Sequence, residues 1–250
     1  VLSRALGGAA RLTRLRKVSL TAHMCGVDPG DGFGEMHLGE RCCLGIAPVR
    51  ADGRVHNVTL VVDHAEGAAL ARDRAAFFLA ALRRFPAAHE RLEGAALLEH
   101  PGGGPFLASG PFDFPARRIV GDGIALVGDA AGYYDPFTGQ GIYQAMAAAE
   151  LLAEEAATAL RAGHVSATRL GAYQRRRARL LRGTRLVQRG IDAVIRRPAL
   201  ADRAIRRIRR SPAVGGALLA VTGDLAPAAA LLSPALLLRF LAPNVPEADA

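Results

Sequence analysis

Hydrophobic positions change their period along this chain, and each change marks a new kind of element. Between Lys17 and Asp63 the apolar and β-branched residues come in short runs, which predicts strands over Lys17–Cys25, Gly34–Leu38, Arg41–Pro48 and Val55–Asp63. Turn signals separate them: Asp28-Pro29-Gly30-Asp31-Gly32, Gly39-Glu40 and Ala51-Asp52-Gly53. Strands this close together favour antiparallel pairing. From Ala68 to Phe85 the period becomes helical, with Phe77, Phe78, Ala81, Leu82 and Phe85 on one side. The glycine- and proline-rich run from Gly102 to Pro115 reads as a connection.

A hairpin is predicted next. Arg117–Val120 and Ile124–Val127 flank the turn Gly121-Asp122-Gly123, and the second strand runs into a helix from Ile142 to about Arg161, stopped by Ala162-Gly163. Further helices are predicted over Ala167–Ile195, Ala199–Arg209 and Ala213–Val221, punctuated by Pro198 and Pro212. The Ala-, Leu- and Pro-rich end of the chain is assigned no element.

The junction between hairpin and helix, GDAAGYYDPFTGQG, carries the candidate chemistry. An apolar strand ends in Gly128-Asp129, and the small residues Ala130, Ala131 and Gly132 let a ligand approach the backbone. Asp129 is a good acceptor for sugar or polyol hydroxyls, because an ionised carboxylate makes the stronger kind of hydrogen bond. Pro136 sets a bend, and Gly139-Gln140-Gly141 opens the helix with bare amides, where the helix dipole favours a phosphate or a developing oxyanion. Ala145, Ala147, Ala148 and Ala149 keep the helix thin enough for close packing. A polyol acceptor beside an electron-rich oxygen site suits a flavin nucleotide. The bland reading is a generic strand–turn–helix connection, against which the combination GDAAG, proline, GQG and small-residue helix is more specific than a lone GxG.

With those residues in view, the chain resembles the FAD-dependent monooxygenase and geranylgeranyl-reductase-like oxidoreductases. GDAAGYYDPFTGQGIYQAMAAAE is similar to the family's second flavin-binding motif. The resemblance implies that Asp129 binds the ribityl chain, that Pro136 and Gly139, Gln140 and Gly141 lie beside the isoalloxazine pyrimidine ring, and that Gly128 belongs to the cofactor site. DAAG with PFTGQG is closer to the reductase-like branch than to the phenol hydroxylases. VLSRALG at the start is similar to the segment after the family's middle flavin motif, and GEMHLGERCCLGIAPV to a strand pair of its substrate domain. The family's opening GxGxxG is absent from this sequence. With the missing initial Met, this predicts the C-terminal part of such an enzyme.

The implied fold is α/β, α+β in this portion. It is an incomplete FAD/NAD(P)-binding Rossmann-like fold with an antiparallel substrate-domain sheet and a helical C-terminal region. The implied division is a residual FAD-binding part at 1–16, the substrate domain at 17–114, the C-terminal part of the FAD-binding domain at 115–163 and the helical region at 164–250. No catalytic side chain is assigned, since the flavin carries the redox chemistry. Glu35 and His37, alternating along one strand, and Tyr133 and Tyr134 in the flavin loop are the residues read as substrate-facing. The alternative for Glu35 and His37 is a solvated strand face.

Charge and cysteines narrow the picture further. The chain carries +9 net, yet the segment from Arg169 to Arg210 holds 15 arginines against Asp192 and Asp202, so the rest of the chain is acidic on balance. The first reading of this arm is a solvated helix face. The second is peripheral contact with an anionic membrane, with Leu180, Leu181, Val187, Ile191 and Ile195 as an apolar side. No nucleic-acid partner is expected, as the arm has no aromatic beyond Tyr173 for stacking. Cys25, Cys42 and Cys43 lack the spacing of a disulfide framework or a zinc site, so no metal is expected, and the vicinal pair is read as facing opposite sides of a sheet. No membrane span or signal peptide is predicted, and a cytoplasmic location is expected. The expected function is FAD-dependent oxidation–reduction of an apolar or aromatic small molecule, by monooxygenation or by reduction of a C=C bond. The resemblance implies NAD(P)H as donor. The alternatives are an inactive remnant, or a basic protein binding a membrane surface or nucleic acid.

Overall fold

The computed structural model describes Leu6 and residues 17–28, 30–50, 52–112 and 114–241. They sort into two compact units, Leu12–Phe114 and a second formed by Val1–Arg11 with Pro115–Ala250. The VLSRALG segment singled out above lies, apart from Leu6, outside the described residues.

The first unit is an antiparallel sheet. It contains β1 (Lys17–Cys25), β2 (Glu35–Gly39), β3 (Cys42–Pro48), β4 (Val55–Asp63), β5 (Ala96–Leu97) and β6 (Phe106–Ser109), in the order β2-β3-β4-β1-β5 with β6 also on β1. β1 and β4 pair along their whole lengths, from Lys17 opposite Asp63 to Cys25 opposite Val55. The alternation along these strands places Leu20, Ala22, Met24, Leu44, Ile46, Val58, Leu60 and Val62 on one face. They form a core there with Phe78, Ala81, Leu82 and Ala88 from the helices and Phe85 from the link between two of them. Burying each large apolar side chain contributes about 1.5–3 kcal/mol. Cys42 joins this core and Cys43 does not, as expected for neighbours on opposite faces, and none of the three cysteines is in a disulfide.

Two expectations need correcting. The single helix predicted over Ala68–Phe85 is divided into α1 (Gly67–Arg72) and α2 (Arg74–Leu82), and α3 (Pro86–Arg91) follows. Asp73 is the cause: its backbone is extended (φ −152°), and its carboxylate accepts the Ala76 N–H at 2.9 Å, capping α2. The Gly102–Pro115 connection contains β6, whose Leu107 and Ala108 pair with Thr21 and Leu20. A free β1 edge recruits this segment despite its glycine-rich start.

In the second unit the predicted hairpin is shorter than its sequence pattern. Val120–Gly121 (β7) pairs with Ile124–Ala125 (β8), and one further bond runs from the Leu126 N–H to the Ile119 carbonyl. Four helices follow as expected: α4 (Gly141–Arg161), α5 (Ala167–Ile195), α6 (Pro198–Arg210) and α7 (Pro212–Thr222). A short α8 (Pro234–Leu241) lies in the region assigned no element. Pro198 and Pro212 begin their helices, where the missing N–H costs nothing. Gly163 takes the left-handed conformation (φ +71°) that ends α4. The helices after residue 164 fall in the same compact unit as the hairpin. Leu170 and Tyr173 of α5 share one core with Ile119, Val120, Leu126, Ala131 and Ala148. That core seats the hairpin and the loop after it.

Candidate functional site

The site is built from a loop that changes direction twice between β8 and α4. Gly128 is left-handed (φ +59°), and a Cβ there would lie 3.4 Å from the Ala145 Cβ, so the turn and α4 approach closely because both residues are small. A 3-10 turn over Gly128–Ala131 carries Asp129 as its second residue, with the side chain exposed. The buried Asp135 then accepts the Phe137 N–H at 2.8 Å and caps a second 3-10 turn, Pro136–Thr138, with Pro136 at its start. Gly139 ends that turn in the left-handed conformation (φ +70°), and α4 starts at Gly141.

Asp129, Tyr133, Gly139, Gly141, Ile142 and Ala145 line a recess of about 430 Å³. Of the residues read from sequence as cofactor-binding or substrate-facing, Asp129, Tyr133, Gly139 and Gly141 meet there. Gly128 acts one step back, through its fit against Ala145. Burial, then the nearby Asp129 and Asp135 carboxylates, push the Tyr133 phenol well above its usual pKa, so it stays protonated at neutral pH. Gln140 has a different place. Its buried side chain donates to Asp224 Oδ1 at 2.9 Å and more weakly to the Val221 carbonyl at 3.4 Å, and it makes no capping bond to α4. The first amides of α4, with the positive end of its dipole, therefore face the recess without a side-chain cap.

α5 supports the loop from behind. Its buried stripe of Leu170, Tyr173, Arg177, Leu181 and Gln188 follows helical spacing. The Tyr173 hydroxyl donates to the Leu126 carbonyl at 2.8 Å, just before the Gly128 turn. Gln188 Nε2 donates to Thr138 Oγ1 at 2.9 Å, and Arg177 reaches the Gly132 carbonyl at 3.5 Å. The solvated-face expectation for the arginine arm holds for Arg175, Arg179, Arg182 and Arg189, which are exposed, but fails for Arg177, which is only 6% exposed. Burial lowers the Arg177 pKa, and its Nε lies buried with no hydrogen-bond partner. Leu181 is likewise turned inward, while Leu180 stays partly exposed. The sequence signal for these supports was the i, i+4 placement of Tyr173 and Arg177, which an apolar-only reading of the helix passes over.

Glu35 and His37 belong to the first unit and do share a face. The register pairs them with Ile46 and Leu44, so that face is the helix-covered one rather than the open side of the sheet. There Glu35 pairs with His37 (2.9 Å) and with Arg91 of α3. Burial pushes the Glu35 pKa up, but its bonds to His37 and Arg91 outweigh that and hold it below the usual carboxylate range. Tyr134 does not line the recess. Among the described residues, no cluster of three or more His, Cys, Asp or Glu could hold a metal ion, and no helix is long and apolar enough to cross a membrane.

The chain has a glycine-bounded recess at a strand–loop–helix junction in one unit and an antiparallel sheet in the other, and solved structures of FAD-dependent enzymes show a similar fold. The myxobacterial chondrochloren halogenase, described as a variant of FAD-dependent halogenases, superimposes with a TM-score of 0.61 at 23% identity, over 71% of this chain and 41% of that one. Halogenase PltM gives 0.66 at 18% identity, over 90% and 48%. In sequence, the chain is 39% identical over 95 residues to a digeranylgeranylglycerophospholipid reductase of Methanothrix thermoacetophila, covering 38% of this chain and 22% of the relative. The corresponding reductase of Methanococcus aeolicus is 28% identical over 143 residues, 57% of this chain and 34% of that one. These matches therefore span about a fifth to a third of the curated relatives. No protein-family model matches the chain. The chain is thus similar in sequence, over part of its length, to digeranylgeranylglycerophospholipid reductases, and similar in fold to flavin-dependent halogenases.

Proposed function

We propose that the recess at Asp129 and the start of α4 is the flavin-ring side of an FAD site. We further propose that the protein containing it reduces a C=C bond of an apolar, isoprenoid-like substrate, with NAD(P)H as electron donor. The observation that carries the first part is the recess itself, where Asp129 and the N-terminus of α4 meet around two glycines. A Cβ on Gly139 would meet no atom within 4 Å, so the backbone there is open to a bound group, and one on Gly141 would come within 3.3 Å of the Tyr133 ring. These residues fit a flavin. Asp129 would accept ribityl hydroxyls, and the amides of Gly141 and Ile142 would donate to an electron-rich ring oxygen. The flavin, when bound, supplies the two-electron redox chemistry. The chain's own contribution is to hold that ring, to place positive dipole where it gains negative charge, and to exclude water with Ile142 and Tyr133.

Reduction is favoured over monooxygenation because the relatives matched in sequence are named as reductases, whereas the halogenase likeness is one of fold. Monooxygenation of an aromatic substrate is the second reading, supported by the flavin-dependent halogenase neighbours. The test is the flavin content of the purified chain after addition of FAD and desalting. Retained flavin, lost on Asp129→Ala, is expected. A folded chain that binds flavin equally well with and without the Asp129 carboxylate would sink the assignment.

A further inference from the structure

The second unit contains another recess, of about 510 Å³, between the start of α4, one face of α5 and the turn after α7. Tyr143, Arg179, Leu180, Asp224, Leu225 and Pro227 are among its walls. It lies apart from the flavin recess, with which it shares no lining residue.

The walls define what could bind. Leu225 and Leu180 remain 87% and 37% exposed at this recess, Pro227 and Ala228 continue its apolar part, and Gln144, Arg179, Thr184 and Asp224 make up its polar part. Asp224 is the acceptor. It holds a left-handed backbone (φ +57°), uncommon for a residue with a side chain. Its Oδ1 is engaged by Gln140 at 2.9 Å, so the carboxylate is oriented by the residue that immediately precedes α4. Burial pushes its pKa up, against the smaller effect of the Gln140 bond, which favours a ligand that offers it a hydrogen. An anionic ligand would meet the Asp224 charge. A cationic one would meet Arg179 and the strongly basic α5. A neutral ligand with a hydrogen-bond donor satisfies both constraints.

We propose that this recess is a second binding site, for a neutral and partly apolar molecule whose hydroxyl donates to Asp224. The site stands on its own residues and does not depend on flavin.

The chain has no tryptophan, so Leu225→Trp places a single fluorescent reporter at the rim. Geraniol and geranyl methyl ether are then titrated into this variant without flavin. They share an apolar body, and only the alcohol can donate. A saturable emission change is expected with geraniol, with roughly tenfold weaker binding of the ether, the scale of one hydrogen bond to a charged group. Asp224→Asn in the same background keeps a residue that tolerates the left-handed backbone and should remove most of that difference. Equal affinity for the two probes, or no saturable change in a folded variant, would overturn the proposal. Because no flavin is present, failure of the FAD assignment leaves either result standing.

Discussion

The Tyr173 hydroxyl is the most direct test of how α5 supports the loop before α4. Tyr173→Phe keeps the ring, which is fully buried among Leu126, Ala131 and Leu170, and removes only the oxygen that lies 2.8 Å from the Leu126 carbonyl. Leu126 is itself 3% exposed, so water cannot easily replace the lost donor. A buried polar group left without its partner costs about 1–3 kcal/mol. The middle of that range corresponds to more than a tenfold rise in the unfolded fraction. With a urea slope of about 2–3 kcal/mol/M, the midpoint should fall by roughly 0.5–1 M. The assay is urea unfolding of the parent and the Phe variant, followed by far-ultraviolet circular dichroism. Tyr173→Leu serves as the comparison, since it also loses ring packing and should fall further. A Tyr173→Phe midpoint equal to that of the parent would show that the hydrogen bond does not hold the loop.

Asp129→Ala should weaken FAD binding by about tenfold or more, as expected for one lost charge-assisted bond, whereas Cys42→Ala should leave it unchanged; a flavin fluorescence titration compares them. Gly139→Val should lower stability by more than about 1 kcal/mol, because φ +70° is strained for a β-branched residue, and thermal unfolding reads the loss. Acid titration of stability should show a fall beginning near the unfolded histidine pKa of 6.5, because burial holds His56 below that value and the unfolded chain takes up the proton first. His56→Phe should flatten that limb, and an unchanged profile would remove His56 as its source. At the alkaline end, Tyr133 and Tyr173 both sit above the ordinary 10.0, so the unfolded chain ionises first and stability should drop as pH rises through that value. Replacing both with Phe should remove that drop, as followed by unfolding at high pH.

Much of the local structure was legible because it depends on neighbours in sequence. β1 and β4 could be bounded from alternation and turn residues alone, and the end of α5 from its following proline. Ser166 accepts the Arg169 N–H, and Pro198 begins the next helix. Asp129, Gly139 and Gly141 were also legible, since a left-handed turn and an open helix start require specific residue types at fixed spacing. The break at Asp73 was written in the sequence too, as an N-cap preceding Ala76, but the continuous apolar stripe on either side concealed it.

Other features depend on which segments meet, and no local pattern states that. β6 is a strand because β1 has an edge to fill. Glu35 and His37 share a face whatever the fold, yet only the pairing with Ile46 and Leu44, and the arrival of Arg91, decide that the face is covered by helices. In α5 the sequence determined a strongly basic helix. The tertiary structure decided that Arg177 turns inward, because its position lies on the stripe with Tyr173 and Leu181 that packs against the loop. Gln140 shows the same division. Its place in GQG follows from the sequence, but its partners Asp224 and Gln188 lie far along the chain, and folding alone brings them to it. The sequence by itself determined the elements and the small-residue cradle, through short-range steric and hydrogen-bonding rules. Burial and long-range pairing, which exist only once the chain has closed on itself, decided which polar side chains serve the site and which serve the scaffold.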